Sequence, residues 1–314
     1  MARLKVLLTD QVFPDTELEE QLLAEIDAEL YIADGSAEDV GAQCADADAL
    51  LTTYFPISVD TVAQAAQCKI VARYGIGVDN VDIAAANAAG IVVTNVPDYS
   101  VQEVGAHALA LSLSLLRKIS EADAKLRSGG WSVDAVRPIR RLSTLTAGLI
   151  GYGRIARQFA GSVRELGMTI LTYDPYLPAP PDDAEAVDLD ELLARSDLIS
   201  VHAPLTQDTL GMLGAAQFTA MKDTAVIVNT SRGPLIELDD LFDALRQGRI
   251  AGAGLDVFDQ EPVDVTRLEG VPNLVVTPHM GYYSEEALKE SQRKATTQII
   301  KVLTGLEPDY EVRP

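Results

Sequence analysis

Between Thr146 and Pro175 the chain reads TAGLIGYGRIARQFAGSVRELGMTILTYDP, and this stretch constrains the fold more than any other. A short apolar run, Ala147 to Ile150, enters the turn Gly151-Tyr152-Gly153-Arg154-Ile155-Ala156. A helical pattern follows at Ile155, Phe159, Val163 and Leu166, and a second apolar run ends in Asp174. Strand, glycine turn, helix, strand and acid, in that order, form a dinucleotide-binding unit. Gly151 permits the tight turn, and Gly153 lets backbone approach a pyrophosphate with no Cβ in the way. Ala156 is small enough for the helix to pack close on the sheet. The N–H groups at the helix start, around Arg154 and Ile155, are left for the phosphates. Asp174 is placed to accept from the adenosine ribose hydroxyls and to repel a 2′-phosphate, which points to NAD over NADP.

The rest of the chain repeats the strand–helix alternation on both sides of this unit, and 314 residues suit two domains. In the first region, apolar runs at Lys5–Leu8, Leu30–Ile32, Ala49–Leu51, Ile70–Ala72 and Ile91–Val93 alternate with helical patterns. Such alternation implies a parallel sheet covered on both faces. No glycine fingerprint follows the first strand, so this half is expected to serve the substrate. Its informative loop is Arg73-Tyr74-Gly75-Ile76-Gly77-Val78-Asp79-Asn80, where two glycines beyond a strand expose N–H groups suited to a carboxylate. After Pro97-Asp98-Tyr99, one long helix is expected from Val101 to about Arg127, as a spacer between domains. Trp131, in the irregular segment Gly129–Arg141, reads as a packing or subunit contact. Further strands are expected at Leu198–Val201, Ala225–Val228, Gly252–Asp256 and Leu274–Thr277. With the two of the fingerprint they make six, a complete dinucleotide-binding sheet. A last helix, Glu285 to Leu303, is expected to cross back to the first domain. The expected architecture is thus α/β, two Rossmann-like or flavodoxin-like parallel-sheet domains with an active-site cleft between them. Residues 1–97 with 286–314 form the substrate domain, and 98–285 the NAD-binding domain.

Charge and composition narrow the partners. A net charge of −22 repels nucleic acid and anionic membranes, so neither is expected to bind. No apolar run reaches the length of a membrane span. The two cysteines, Cys44 and Cys68, lie beside apolar runs with no C-x-x-C spacing, which fits reduced core residues and a cytoplasmic protein. No metal site is expected.

Four motifs, in order, resemble those of the D-isomer-specific 2-hydroxyacid dehydrogenases: RYGIGVDNVD, GLIGYGRIA, VNTSRG and the GLDVF…EP…TPH run. The segments HMGYYSEEA and YDPYLP are most similar to the branch that includes the C-terminal-binding-protein dehydrogenases. The resemblance implies an Arg–Glu–His active site on Arg232, Glu261 and His279, NAD as cofactor, and a homodimer. It further implies cofactor contacts from Pro175, His202, Ala203, Pro204, Thr209, Thr230, Ser231, Arg232, Asp256, His279 and Gly281, beside Gly151, Gly153, Arg154, Ile155 and Asp174.

The chemistry of these residues agrees. Reducing a 2-oxo acid to a D-2-hydroxy acid needs a hydride, a proton for the carbonyl oxygen and a cation for the carboxylate. His279 follows a strand with Gly281 nearby, and histidine gives or takes a proton near neutral pH. Glu261, in Asp259-Gln260-Glu261-Pro262, is the candidate to orient the ring. Arg232 offers a planar fork to the carboxylate, whose other side falls to the N–H groups of Ile76 and Gly77. Tyr74 and Tyr282 are expected to flank the substrate side chain. Two other readings use the same motifs. One is an NAD(H)-sensing, corepressor-like binding protein with little turnover. The other is a D-3-phosphoglycerate dehydrogenase, here expected without a regulatory domain because the chain ends soon after its last helix.

Overall fold

The computed structural model describes residues 3–313 and divides into two compact units. One takes in Met1–Tyr99 and Ser284–Pro314, the other Ser100–Tyr283.

In the first unit, strands β1 (Leu4–Leu8), β2 (Ala28–Ile32), β3 (Ala49–Thr52), β4 (Ile70–Arg73) and β5 (Val92–Thr94) form one parallel sheet in the order β2-β1-β3-β4-β5. β3 and β4 are buried at every position, which is why they read as unbroken apolar runs instead of alternating ones. Crossover helices α1 (Glu17–Ala24), α2 (Ala37–Gln43), α3 (Val59–Gln64) and α4 (Ile83–Ala88) link them. Their starts are written in the sequence. Ser36 and Asp39 form a capping box, and Ser58 and Asp82 accept from the N–H three residues on. A closing helix, Glu285–Leu303, capped by Ser284, packs on α1 and β4. It buries Ala287, Leu288, Ala295 and Ile299, apolar positions at helical spacing. On the sheet, Leu7, Leu50, Val71 and Val93 share a core with Cys44 and Cys68. Burial pushes the two thiols up to about 11 and about 12, so both stay protonated.

The second unit opens with α5 (Val101–Leu116) and α6 (Ile119–Arg127). These replace the single helix expected over the same residues. The chain breaks at Arg117-Lys118, where Lys118 takes a left-handed φ of 52°. Nor is α5 a spacer: it lies on this unit's own sheet and on the fingerprint helix. The strands are β6 (Thr146–Ile150), β7 (Thr169–Tyr173), β8 (Glu185–Ala186), β9 (Leu198–Val201), β10 (Val226–Asn229), β11 (Gly252–Leu255) and β12 (Leu274–Val276). Between them run α7 (Arg154–Glu165), α8 (Leu189–Arg195), α9 (Ala215–Ala220) and α10 (Leu238–Arg246). All are parallel, in the order β12-β11-β10-β9-β6-β7-β8. The sheet has one strand more than expected, the two-residue β8, which pairs with β7. Close approach of α5 depends on small residues below it: a Cβ at Gly254 would stand 3.2 Å from Leu111 Cβ and 3.3 Å from Leu115 Cδ1. Trp131 is 90% exposed, so it has no packing role within the chain.

Candidate active site

The order of strands in the larger sheet reverses between β6 and β9, and a ligand crevice opens at the carboxyl ends of strands at such a point. The glycine turn leaves β6 there. Gly151 has a φ of 88°, and a Cβ on it would lie 2.9 Å from the nitrogen of Ala203 and from the carbonyl carbon of His202. Only glycine fits on both counts. Gly153 is different. It caps α7 with an ordinary φ of −76°, and a Cβ there would meet no protein atom within 4 Å. The chain's own packing therefore does not require a glycine there. Asp174, at the end of β7, accepts the N–H of Tyr152 at 2.9 Å on one oxygen and that of Tyr176 at 3.0 Å on the other. The carboxylate is thereby fixed beside the glycine turn, and each oxygen keeps a lone pair. Pro175 beside it is exposed.

Across the reversal, the loop after β9 is braced by the loop after β10 and from within. Ser231 Oγ donates to the carbonyl of Ala203 at 2.6 Å, and Thr209 Oγ1 to that of Pro204 at 2.7 Å. His202 Nε2 lies 2.9 Å from Ser200 Oγ, and burial pulls its pKa down to about 4. The ring is therefore neutral at pH 7 and is no proton donor there. Thr230 Oγ1 is buried and has no hydrogen-bond partner among the described residues.

The three catalytic candidates lie in this unit, on the loops after β10, β11 and β12. His279 Nδ1 is 2.5 Å from Glu261 Oε2. Burial alone would raise the Glu261 carboxyl, but the hydrogen bond and charge of His279, the Phe258 N–H and the nearby Arg232 charge together hold it below its ordinary value. Arg232 Nη1 donates to the carbonyl of Ser231 at 2.8 Å. The loop of Arg232 is held from inside by Asn229, whose Nδ2 donates to the Arg232 carbonyl at 2.8 Å and whose Oδ1 accepts the Ser231 N–H at 3.0 Å. The Tyr282 and His279 rings meet in a T-shaped arrangement, with centroids 6.2 Å apart.

The His279 loop is organised by Asp256. Its Oδ1 accepts from Thr277 Oγ1 at 2.6 Å and from the Met280 N–H at 2.9 Å, and its Oδ2 accepts the Gly281 N–H at 2.8 Å. His107, from α5, reaches Thr277 Oγ1 at 2.9 Å and Asp256 Oδ1 at 3.4 Å. Burial by itself would raise Asp256, and these donors outweigh it, leaving the carboxyl below its ordinary range. Sequence reading passed over Asn229 and His107. The available signal was a polar residue at the end of the apolar run of β10, and another among the small and apolar residues of α5.

In the first unit, the glycine loop leaves β4. Its carbonyls are spoken for: that of Gly75 accepts the Val96 N–H at 3.0 Å, and that of Ile76 accepts Asn95 Nδ2 at 2.6 Å. The N–H groups of Ile76 and Gly77 have no acceptor among the described residues. Tyr74 does not flank a substrate as expected. It is 1% exposed, its hydroxyl donates to Glu19 at 2.8 Å, and its ring packs edge-on against Phe13. A separate cavity of about 430 Å³, lined by Asp197, Arg140 and Val226 among others, sits at the amino ends of the strands in the larger sheet. It lies away from the chemistry, which belongs to the carboxyl ends.

Residues 109–281 match the family model described as D-isomer specific 2-hydroxyacid dehydrogenase, NAD binding domain. The chain belongs to this family. D-3-phosphoglycerate dehydrogenase of Methanocaldococcus jannaschii is 37% identical over 307 residues, 96% of this chain and 58% of that protein. Glyoxylate reductase of Thermococcus litoralis is 37% identical over 273 residues, 84% of this chain and 82% of that one. The chain spans 48% to 58% of the length of three D-3-phosphoglycerate dehydrogenases that it matches. Among solved structures, a glyoxylate reductase from Paecilomyes thermophila superposes with a TM-score of 0.90 at 28% identity, covering 99% of both chains. D-lactate dehydrogenase from Aquifex aeolicus, complexed with NAD and lactic acid, gives 0.86 at 25%, covering 96% of both.

The residues present fit the cofactor of a 2-hydroxyacid dehydrogenase. Gly153 leaves open space at the start of α7, and the Asp174 carboxylate is fixed beside the glycine turn. The orphaned Thr230 hydroxyl lies on the loop after β10, at the carboxyl ends of the strands.

Proposed function

We propose that this chain is an NAD-dependent D-2-hydroxyacid dehydrogenase, interconverting a 2-oxo acid and a D-2-hydroxy acid. The observation that carries the reading is the His279–Glu261 pair at 2.5 Å, with the charge of Arg232 acting on the same carboxylate. Glu261 engages Nδ1 and so assigns Nε2 to the substrate oxygen. The ring gives that oxygen a proton in reduction and takes it back in oxidation. Arg232 holds the substrate carboxylate and polarises the carbonyl as charge grows on oxygen. We assign further carboxylate donors to the Ile76 and Gly77 N–H groups, and a side-chain contact to Tyr282. NAD, when bound, supplies or accepts the hydride. Gly151, Gly153, Arg154, Ile155, Asp174, Pro175, His202, Ala203, Pro204, Thr209, Thr230, Ser231, Asp256 and Gly281 are the residues we assign to holding it.

The substrate is a small 2-oxo acid such as those acted on by the named relatives. The phosphoglycerate dehydrogenases among those relatives favour phosphohydroxypyruvate as the second candidate. We further propose a homodimer, supported by exposed apolar groups on α6 and the segment after it: Ile119, Leu126, Trp131 and Val133. No described helix is long and apolar enough to cross a membrane. The two buried free thiols support a cytoplasmic site of action. The test is NADH oxidation against pyruvate, glyoxylate, hydroxypyruvate, branched and aromatic 2-oxo acids and phosphohydroxypyruvate. Turnover of at least one supports the reading. Tight NADH binding with no turnover on any would replace it with an NAD(H)-sensing protein.

A further inference from the structure

Behind the glycine loop of the first unit lies a fully buried acid that the chemistry above does not use. Glu19, on α1, is 0% exposed. Its Oε1 accepts from the Tyr74 hydroxyl at 2.8 Å, and Gln292 Nε2 of the closing helix lies 3.1 and 3.0 Å from its two oxygens. Gln292 Nε2 also donates to the Asp15 carbonyl at 3.1 Å. Tyr74 is held at its backbone as well: its N–H donates to the Thr52 carbonyl at 3.0 Å, and its carbonyl accepts from Ser291 Oγ. The residue that begins the glycine loop is thus clamped by α1, β3 and the closing helix together.

A buried acid is an expensive way to pack three elements. Burial raises the Glu19 carboxyl, and the hydrogen bonds of Tyr74 and Gln292 offset only part of that cost. Apolar residues of similar volume would pack the same space as well or better. What they could not supply is direction, since hydrogen bonds fix where the Tyr74 side chain and backbone point. The next residues along are the ones whose N–H groups stay open. A Cβ on Gly75 would fall on the Arg73 guanidinium, so a side chain there would require Arg73 to move.

We propose that Glu19 and Tyr74 are positioning residues for substrate binding, holding the Ile76 and Gly77 N–H groups in the orientation that receives a substrate carboxylate. The inference rests on the dehydrogenase reading and on the role given there to this loop. It separates binding from chemistry, because neither residue touches the hydride or proton path.

The experiment is steady-state kinetics on the best 2-oxo acid, with NADH affinity and thermal midpoint measured on the same samples. Tyr74→Phe keeps the ring and removes the hydroxyl. KM is expected to rise about fivefold or more, with kcat within about threefold and NADH affinity unchanged. Glu19→Leu is expected to raise KM similarly, and the double variant to do no more than either single one, because both act through one link. Should Glu19→Leu not fold, Tyr74→Phe decides alone. A lowered thermal midpoint with unchanged KM in Tyr74→Phe would overturn the proposal and leave a purely structural clamp. A wild-type protein that neither reduces nor binds any 2-oxo acid would overturn the dehydrogenase reading, and this one with it.

Discussion

Glu261 divides its carboxylate between its own loop and His279: Oε1 accepts the Phe258 N–H at 2.9 Å while Oε2 meets His279 Nδ1 at 2.5 Å. The acid is anchored at one end before it orients the ring at the other. Glu261→Gln keeps the shape and removes the charge. The protonated ring then loses its counter-ion, so 2-oxo acid reduction is expected to fall off at a lower pH, with kcat down about tenfold or more. An unshifted pH profile of kcat/KM would dissolve the pair as a functional unit.

Arg232→Lys puts a point charge where a planar fork is required. We expect kcat/KM for the 2-oxo acid to drop about 100-fold, roughly 2.7 kcal/mol on the scale of 1.36 per tenfold, with NADH affinity nearly kept. Near-normal turnover would remove Arg232 from the substrate.

The two glycines of the turn are expected to part company on substitution. Gly151→Ala meets the His202–Ala203 backbone at a positive φ, so both the thermal midpoint and NADH binding should suffer. Gly153→Ala has room within the protein and an ordinary φ. Its thermal midpoint should stay within a degree or two while NADH affinity falls about tenfold or more, an estimate for a methyl set against a pyrophosphate. Unchanged NADH binding in Gly153→Ala would move the phosphates elsewhere.

Cofactor choice rests on Asp174. Like charges held close at a partly buried site cost several kcal/mol, and Pro175, Tyr176 and Leu177 bring no cation to offset a 2′-phosphate. We expect at least ~100-fold preference for NADH over NADPH in kcat/KM. Asp174→Ala should shrink it, chiefly by weakening NADH binding. Equal use of the two cofactors by the wild type would mean that this carboxylate does not face the ribose.

His202 makes stability depend on pH. The folded ring takes a proton only at about 4, whereas an exposed histidine does so near 6.5. The unfolded chain therefore binds the proton first, so this contribution is full above about pH 6.5 and is lost as pH falls toward 4, by about 3 kcal/mol at most. His202→Gln should flatten the fall of the thermal midpoint between about pH 6.5 and 5. Parallel curves for the two proteins would show that the ring is solvated.

What could be read from the sequence was what local pattern controls. Buried parallel strands are unbroken apolar runs, and two glycines one residue apart between a strand and a helix stand out in the sequence, so both were visible. The Tyr74 side chain was misread because its direction is set by Glu19 and Gln292, which are remote in sequence. The break after α5 carries no glycine or proline. Lys118 adopts the left-handed turn although its type favours helix, so propensity pointed the wrong way. β8 is two exposed residues with no apolar pattern to reveal it. Asn229 and His107 act through hydrogen bonds to loops, which periodicity does not encode.

The shortness of that eighth strand has a consequence for how the molecule behaves in a crowd of its own kind. The larger sheet ends in β8, two residues long, on one flank and in β12, three residues long, on the other. An open sheet edge is a template for another chain to add to, and its reach depends on how many N–H and C=O groups stand in line. Here either flank offers too short a row of backbone groups to seed a ladder. The sheet is self-terminating, a guard against fibrous aggregation that costs the cofactor crevice at its centre nothing.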